Sequence, residues 1–139
     1  GTWSPAISNT ATGTYTFTPT AGQCATTQTL TITINPLPTA SLSALPNPAC
    51  EGDNIVLTAS SSIAVNEYRF QYRFSGTTWT DLTTPAWGNL STFTYLNAVA
   101  GDIEFRVRVR NTGCNPSIWS TIITVPVNPV PITSPISHN

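Results

Sequence analysis

From Ile103 to Arg110 every second residue is apolar and every residue between is charged. Ile103, Phe105, Val107 and Val109 share one side of an extended chain; Glu104, Arg106, Arg108 and Arg110 share the other. A two-residue period belongs to a β-strand with one face in a core and one in water. A slip of one residue would bury three guanidiniums, so the pairing has one tolerable register. Burial of the four apolar side chains contributes about 1.5–3 kcal/mol each before the entropy of ordering them is subtracted. No stretch of the chain places apolar residues at the i, i+3, i+4, i+7 spacing of an amphipathic helix.

The alternation recurs along the chain. Glu67–Phe74 sets Tyr68, Phe70, Tyr72 and Phe74 against Arg69, Gln71 and Arg73. Further strands are expected at 14–19, 27–34, Thr39–Leu45, Asn54–Ser60, Trp79–Leu82, Ser91–Leu96 and Ser120–Val125. Two stretches are also copies of one another. Tyr15 to Cys24 leads into Thr29–Ile34 and exits at Asn35-Pro36; Phe105 to Cys114 leads into Ser120–Val125 and exits at Asn128-Pro129. Cys24 and Cys114 are about 90 residues apart, close to the roughly 100 of an immunoglobulin-type sandwich.

The fold class expected is therefore all-β, an immunoglobulin-like antiparallel β-sandwich forming a segment of a tandem array. Residues 1–36 read as the C-terminal strands of a preceding repeat and 37–128 as a complete sandwich domain. Residues 129–139 read as a linker and the first strand of a following repeat. The joints are Asn35-Pro36-Leu37-Pro38 and Asn128-Pro129-Val130-Pro131, stiffened because proline fixes φ and offers no donor to a sheet.

Composition narrows the function classes. Charged residues make up 8% of the 139 and the net charge is −1, so no bulk field draws the chain to nucleic acid or an anionic membrane. Thr takes the place of charge on exposed strand faces, since it is both β-branched and wettable. With 40% hydrophobic residues in clean alternation, the chain reads as folded rather than as a mucin-like stalk. No run long enough for membrane insertion is present, and any targeting segment is expected outside the chain, which opens inside a repeat.

Three cysteines leave one over. Cys50 precedes one strand and Cys114 follows another, and the repeat makes Cys24 the counterpart of Cys114. The expectation is a Cys50–Cys114 disulfide with Cys24 unpaired, and with it a location outside the cytoplasm. The alternative is three buried free thiols.

The string Gly1-Thr2-Trp3-Ser4-Pro5-Ala6, the Tyr15–Cys24 segment and the Phe105–Cys114 segment with its Asn-Pro exit together resemble the tandem repeats of very large surface proteins of gliding and related Bacteroidota. The resemblance, to gliding-motility adhesins of the SprB type, covers nearly the whole chain. It implies immunoglobulin-like repeats, export by the type IX secretion system and an extracellular or cell-surface location. Related repeats also occur beside catalytic modules.

Candidate chemistry is sparse. The lone histidine, His138, has no cysteine at metal-ligand spacing and no nucleophile beside it. Glu51, Asp53, Glu67, Asp81, Asp102 and Glu104 are scattered over strand ends and turns. Asp53 and Asp102 are the weak candidates for a cation at one pole, but they lack the dense oxygen spacing of a calcium loop, and turn-forming Asp is the plainer reading. No Gly-rich phosphate loop is present and no cofactor is implied. Asn89-Leu90-Ser91 matches an N-glycosylation acceptor pattern, which carries little weight in a bacterial chain.

The chain has no lysine, and all five of its cations are arginines: Arg69 and Arg73 on one strand, Arg106, Arg108 and Arg110 on another. If those strands are neighbours, the five line one outer face. That face is either solvated, with cross-strand Arg–Glu pairs, or a docking stripe for an acidic polysaccharide, surface glycan or neighbouring module. Trp79, Trp87 and Trp119 are candidate aromatic contacts, a sugar platform if exposed and inter-sheet packing otherwise. The function expected is non-catalytic: an extended spacer and weak multivalent binder in adhesion or gliding motility, with neighbouring repeats as its first partners. The rivals are a carbohydrate-binding accessory module of an exported hydrolase and a subunit of an extracellular filament.

Overall fold

A computed structural model describes residues 1–135. The chain divides into two compact units, Gly1–Pro36 and Leu37–Asn139. Every regular element among the described residues is a strand.

The first unit is a three-stranded antiparallel sheet in the order β1-β2-β3, formed by β1 (Thr2–Ser4), β2 (Gly13–Thr18) and β3 (Gln28–Ile32). Tyr15 on β2 is buried and faces Leu30 on β3. The Ser8 N–H donates to the Tyr15 hydroxyl at 3.0 Å, and Trp3 packs on Phe17 with ring centroids 5.3 Å apart. The opposite face carries Thr14, Thr16, Thr29 and Thr31 in register, with the hydroxyls of Thr14 and Thr31 3.1 Å apart. The N-terminal strand β1 has no apolar alternation of its own, and its sequence did not announce it.

The second unit is a β-sandwich. Its strands are β4 (Ala40–Leu45), β5 (Ala49–Cys50), β6 (Ile55–Ser61), β7 (Glu67–Phe74), β8 (Thr80–Asp81), β9 (Thr92–Tyr95), β10 (Gly101–Arg110) and β11 (Ile123–Asn128). One sheet runs β4-β6-β9; the other runs β5-β11-β10-β7-β8. All pairings are antiparallel except β5 with β11. The core is what lies between the layers. Ala44, Ile55, Leu57 and Ala59 come from the three-stranded sheet, and Phe70, Ile103, Phe105, Val107, Val125 and Val127 from the five-stranded one. Tyr95 of β9 meets Phe105 of β10 edge-on at 5.5 Å and Tyr72 of β7 at 5.2 Å, so aromatic rings tie the sheets together. Burial also raises the pKa of the Tyr95 phenol above its ordinary value, with Tyr72 adding to the shift.

The alternation in β7 and β10 survives intact. Ile103, Phe105, Val107 and Val109 are fully buried, and the charged residues between them face outward. The two strands pair over eight positions, from Ile103 with Phe74 to Arg110 with Glu67.

Two expectations are corrected. The last strand starts at Ile123 rather than Ser120, because residues before it leave the regular ladder. The buried hydroxyls of Ser117 and Ser120 accept from the N–H groups of Val109 and Val107, at 3.0 and 3.1 Å. The main-chain N–H groups of the same two serines donate back to Val109 and Val107 at 2.8 Å. Three chain steps thus oppose two, which is a local bulge rather than a strand. Pro126 lies within β11, where the short β5 pairs only Val127 and Asn128.

The second correction concerns the disulfide. Cys24, Cys50 and Cys114 are all free and exposed, so neither the bridge nor the buried-thiol alternative holds. Cys50 pairs with Asn128, level with the start of β10, whereas Cys114 follows the end of β10 in the turn after Arg110. Strand rise over that length separates them by about 30 Å, and a disulfide requires Cα atoms within about 7 Å. The strand expected at the C-terminus lies only partly within the described residues. Among residues 129–135 no strand forms, since Pro129, Pro131 and Pro135 remove donors; residues 136–139 are outside the described range, and His138 with them.

Candidate functional site

The outer face of the five-stranded sheet gathers every arginine and three of the four tryptophans. β7 and β10 place Arg73 opposite Glu104, Gln71 opposite Arg106, Arg69 opposite Arg108 and Glu67 opposite Arg110. Side chains two residues apart on each strand point the same way, so all eight form one outward field.

The indoles enter this field from both sides. Thr80 pairs with Tyr72, which sets Trp79 beside the outward row of β7. Gly88 bridges Tyr68 through two main-chain hydrogen bonds and brings Trp87 alongside in the same way. Trp119 comes from the other edge, carried between Ser117 and Ser120 in the bulge against β10. Because both serines are pinned inward, Ile118 and Trp119 are driven to the surface side; Ile118 is largely exposed.

The result is an alternating stack. Arg73 lies over Trp79 at 4.5 Å from guanidinium carbon to ring centroid, and Arg106 lies over the same ring at 4.1 Å. Arg106 also stacks on Trp119 at 4.1 Å, and Arg108 on Trp119 at 4.5 Å. Arg108 and Arg110 then share Trp87, at 5.4 and 4.1 Å. The order along the ladder is Arg73, Trp79, Arg106, Trp119, Arg108, Trp87, Arg110. Each such contact contributes about 0.5–1 kcal/mol where solvated and up to about 2 where water is excluded.

Carboxylates close the edges. Arg73 pairs with Glu104 and Arg110 with Glu67 across the strands, as the solvated-face reading expected. Asp81 receives both Nε and Nη2 of Arg69, at 2.7 and 2.8 Å, and the amide of Gln71 at 2.9 Å. Hydrogen bonding from Arg69 holds the Asp81 carboxyl below the ordinary range, and the same bond raises Arg69. Gln71 hands its carbonyl oxygen to Arg106, which donates to it from Nε and Nη2 at 3.0 and 2.7 Å. Arg108 makes no hydrogen bond to any described residue, and its Nε is buried without a partner. Desolvation lowers the pKa of both Arg106 and Arg108, and repulsion from neighbouring guanidiniums adds to it.

The tryptophans are thus neither in the core nor free as a sugar platform, because each ring is part-buried and has at least two guanidiniums lying over it. The arginine face and the aromatic contacts, read separately in the sequence, are one structure. Sequence reasoning missed Ser117 and Ser120, and left Asp81 among the scattered acids rather than on this face. The paired serines flanking a tryptophan, three residues apart and following a β-strand, were the available signal.

The other candidates stay apart from this face. Asp53 accepts the Cys50 N–H at 2.8 Å and shapes the β5–β6 turn. Asp102 opens β10 at the same pole, but no group of three His, Cys, Asp or Glu side chains clusters among the described residues. A cleft of about 190 Å³ opens beside β7 and β9, lined by Tyr68, Phe70, Leu90 and Phe93 with smaller neighbours. Its walls are almost wholly apolar, and Tyr68 brings its one titratable group. Among the described residues no helix is long and apolar enough to cross a membrane, which leaves strands aside.

No family model matches the chain, and no curated protein matches it. Among solved structures it is similar to a β-1,2-glucanase from Parabacteroides distasonis, at 16% identity and a TM-score of 0.47. The similarity covers 76% of this chain and 16% of that one. The chain therefore spans about a sixth of the length of that structure.

Proposed function

We propose that the chain is a non-catalytic segment of a tandem immunoglobulin-like array, acting as an extended spacer and weak multivalent binder at a bacterial cell surface. The observation that carries this reading is the structural echo between the units. Tyr15 on β2 sits opposite Leu30 on β3, and 90 positions on, Phe105 on β10 sits opposite Ile123 on β11. In both cases a buried aromatic ring on the first strand of an antiparallel pair faces an aliphatic residue on the second. The break between the units falls at Pro36, inside the proline-rich joint whose counterpart follows β11.

The physics of such an array favours many modest contacts over one tight site. Repeats bound in series raise avidity through effective concentration, so each needs little affinity of its own. A spacer also has to survive outside the cell without a large charged surface. The ladder supplies rigidity on one sheet, and neutral hydroxyls such as Ser41 and Ser60, with oxygens 2.6 Å apart, cover the outer face of the other.

Antibody raised against the chain, applied to intact cells of the organism that encodes it, tests the location. Labelling of intact cells is expected. Labelling that appears only after the cells are permeabilised would overturn the proposal.

A further inference from the structure

The ladder is neutralised at its edges and left open at its centre. Five guanidiniums face three carboxylates, and those carboxylates hold Arg69, Arg73 and Arg110. Two cations remain in excess, Arg106 and Arg108, side by side on β10 and joined through Trp119. Arg106 has only the neutral amide oxygen of Gln71, and Arg108 has no hydrogen-bond partner among the described residues. The remaining acids of the chain, Glu51, Asp53 and Asp102, sit at the pole where β10 begins and do not reach this pair.

We infer that Arg106 and Arg108, held apart by Trp119, form an oxyanion subsite for the carboxylate or sulfate groups of a linear anionic polysaccharide. This assignment rests on the surface-binder reading above and names its ligand class. Charge complementarity selects the occupant. A guanidinium fixed in plane by stacking presents a rigid fork that matches an oxyanion at two oxygens, with little further loss of side-chain freedom. Arg106, Arg108 and Arg110 recur every second residue, about 6.7 Å apart along the strand, so a polymer laid along β10 meets a row of donors rather than one. Desolvation and mutual repulsion already disfavour the charged form of both central arginines, and an incoming anion relieves the repulsive part. Neutral sugars gain nothing comparable, since guanidiniums already lie over the indoles on which they would stack.

The test is binding of the full chain to polygalacturonate, dextran sulfate and neutral dextran, by calorimetry at low and high salt. Binding to one or both anionic polymers, weakened by salt and absent for dextran, is expected; which of the two binds identifies carboxylate or sulfate as the source. Arg108→Gln should weaken that binding about tenfold, the effect of losing a charge-assisted hydrogen bond. Arg108→Lys, which keeps charge but not the planar fork, should fall between. Thr58→Gln on the opposite sheet serves as the control and should bind as the unaltered chain does. If Arg108→Gln melts early, the Lys variant carries the comparison. Equal binding to dextran, no binding to either anionic polymer, or equal loss in Thr58→Gln would overturn the subsite. Surface labelling without anion binding would sink this assignment and leave the spacer reading standing; anion binding in a protein confined to the cell interior would do the reverse.

Discussion

Arg108 stands directly across from Arg69 in the register of β7 and β10. Like charges opposed in an antiparallel pair are destabilising by a few tenths to about 1 kcal/mol. The chain tolerates the pair by giving each member a different surrounding. Arg69 is held by Asp81 and reaches Trp119 only at 5.8 Å, whereas Arg108 lies at 4.5 and 5.4 Å from the indoles of Trp119 and Trp87. This division of partners explains why the face can carry every cation of the chain without a carboxylate for each.

Trp119 is the ring shared by the two central arginines, so its removal should be felt most. Trp119→Ala eliminates two close stacking contacts and the apolar cover over β10, and is expected to destabilise the second unit by about 2–4 kcal/mol. Trp119→Phe, which keeps a smaller ring, should lose about half as much. Urea denaturation followed by far-UV circular dichroism measures both.

Asp81 links the ladder to acid. Its folded pKa is depressed, so the bonds to Arg69 and Gln71 contribute stability that is present above the unfolded carboxylate value. That stability is lost as pH falls through the lower folded value. Stability should therefore decline on acidification below about pH 4. Asp81→Asn should remove about 1 kcal/mol at neutral pH, given the partial exposure of the pair, and flatten part of that decline. A melting series from neutral to acid pH, on both proteins, provides the comparison.

Ser117 and Ser120 each stand in for a missing strand partner. Ala at either position leaves a buried N–H, that of Val109 or Val107, without its acceptor, at about 1–3 kcal/mol. Hydrogen exchange should accelerate at those two amides in the matching variant, and Trp119 fluorescence should shift as its anchor loosens. Unchanged exchange at both amides would contradict the bulge.

Cys50 and Cys114 lie at opposite ends of the five-stranded sheet, so reductant should leave the melting temperature unchanged. Thiol titration of the unfolded chain, without prior reduction, should find three free groups. The double variant Cys50→Ser/Cys114→Ser should stay within about 0.5 kcal/mol of the parent, as for other surface changes.

Much of the sandwich was legible because its long strands alternate without interruption. β7 coincides with the stretch marked by alternation, and β10 begins only two residues earlier, at Gly101. The two-residue strands β5 and β8 were either unseen or overdrawn, since two residues cannot establish a period. The arginines could be assigned to one face from parity alone. The tryptophans could not, because each arrives from a loop or strand end whose position depends on a partner elsewhere: Tyr72 for Trp79, Tyr68 for Trp87, Val107 and Val109 for Trp119. The disulfide failed for a related reason. Closeness of each cysteine to a strand said nothing about its height along the sheet, and β5 holds Cys50 at the wrong end.

A double-mutant cycle on Arg106 and Trp119 tests the ladder most directly, using Arg106→Gln and Trp119→Ala alone and together in urea unfolding. Their stacking, at 4.1 Å and flanked by the ring of Trp79, should appear as a coupling of about 1 kcal/mol or more. Losses that simply add, with no coupling between the two sites, would contradict the interleaved face on which the binding argument stands.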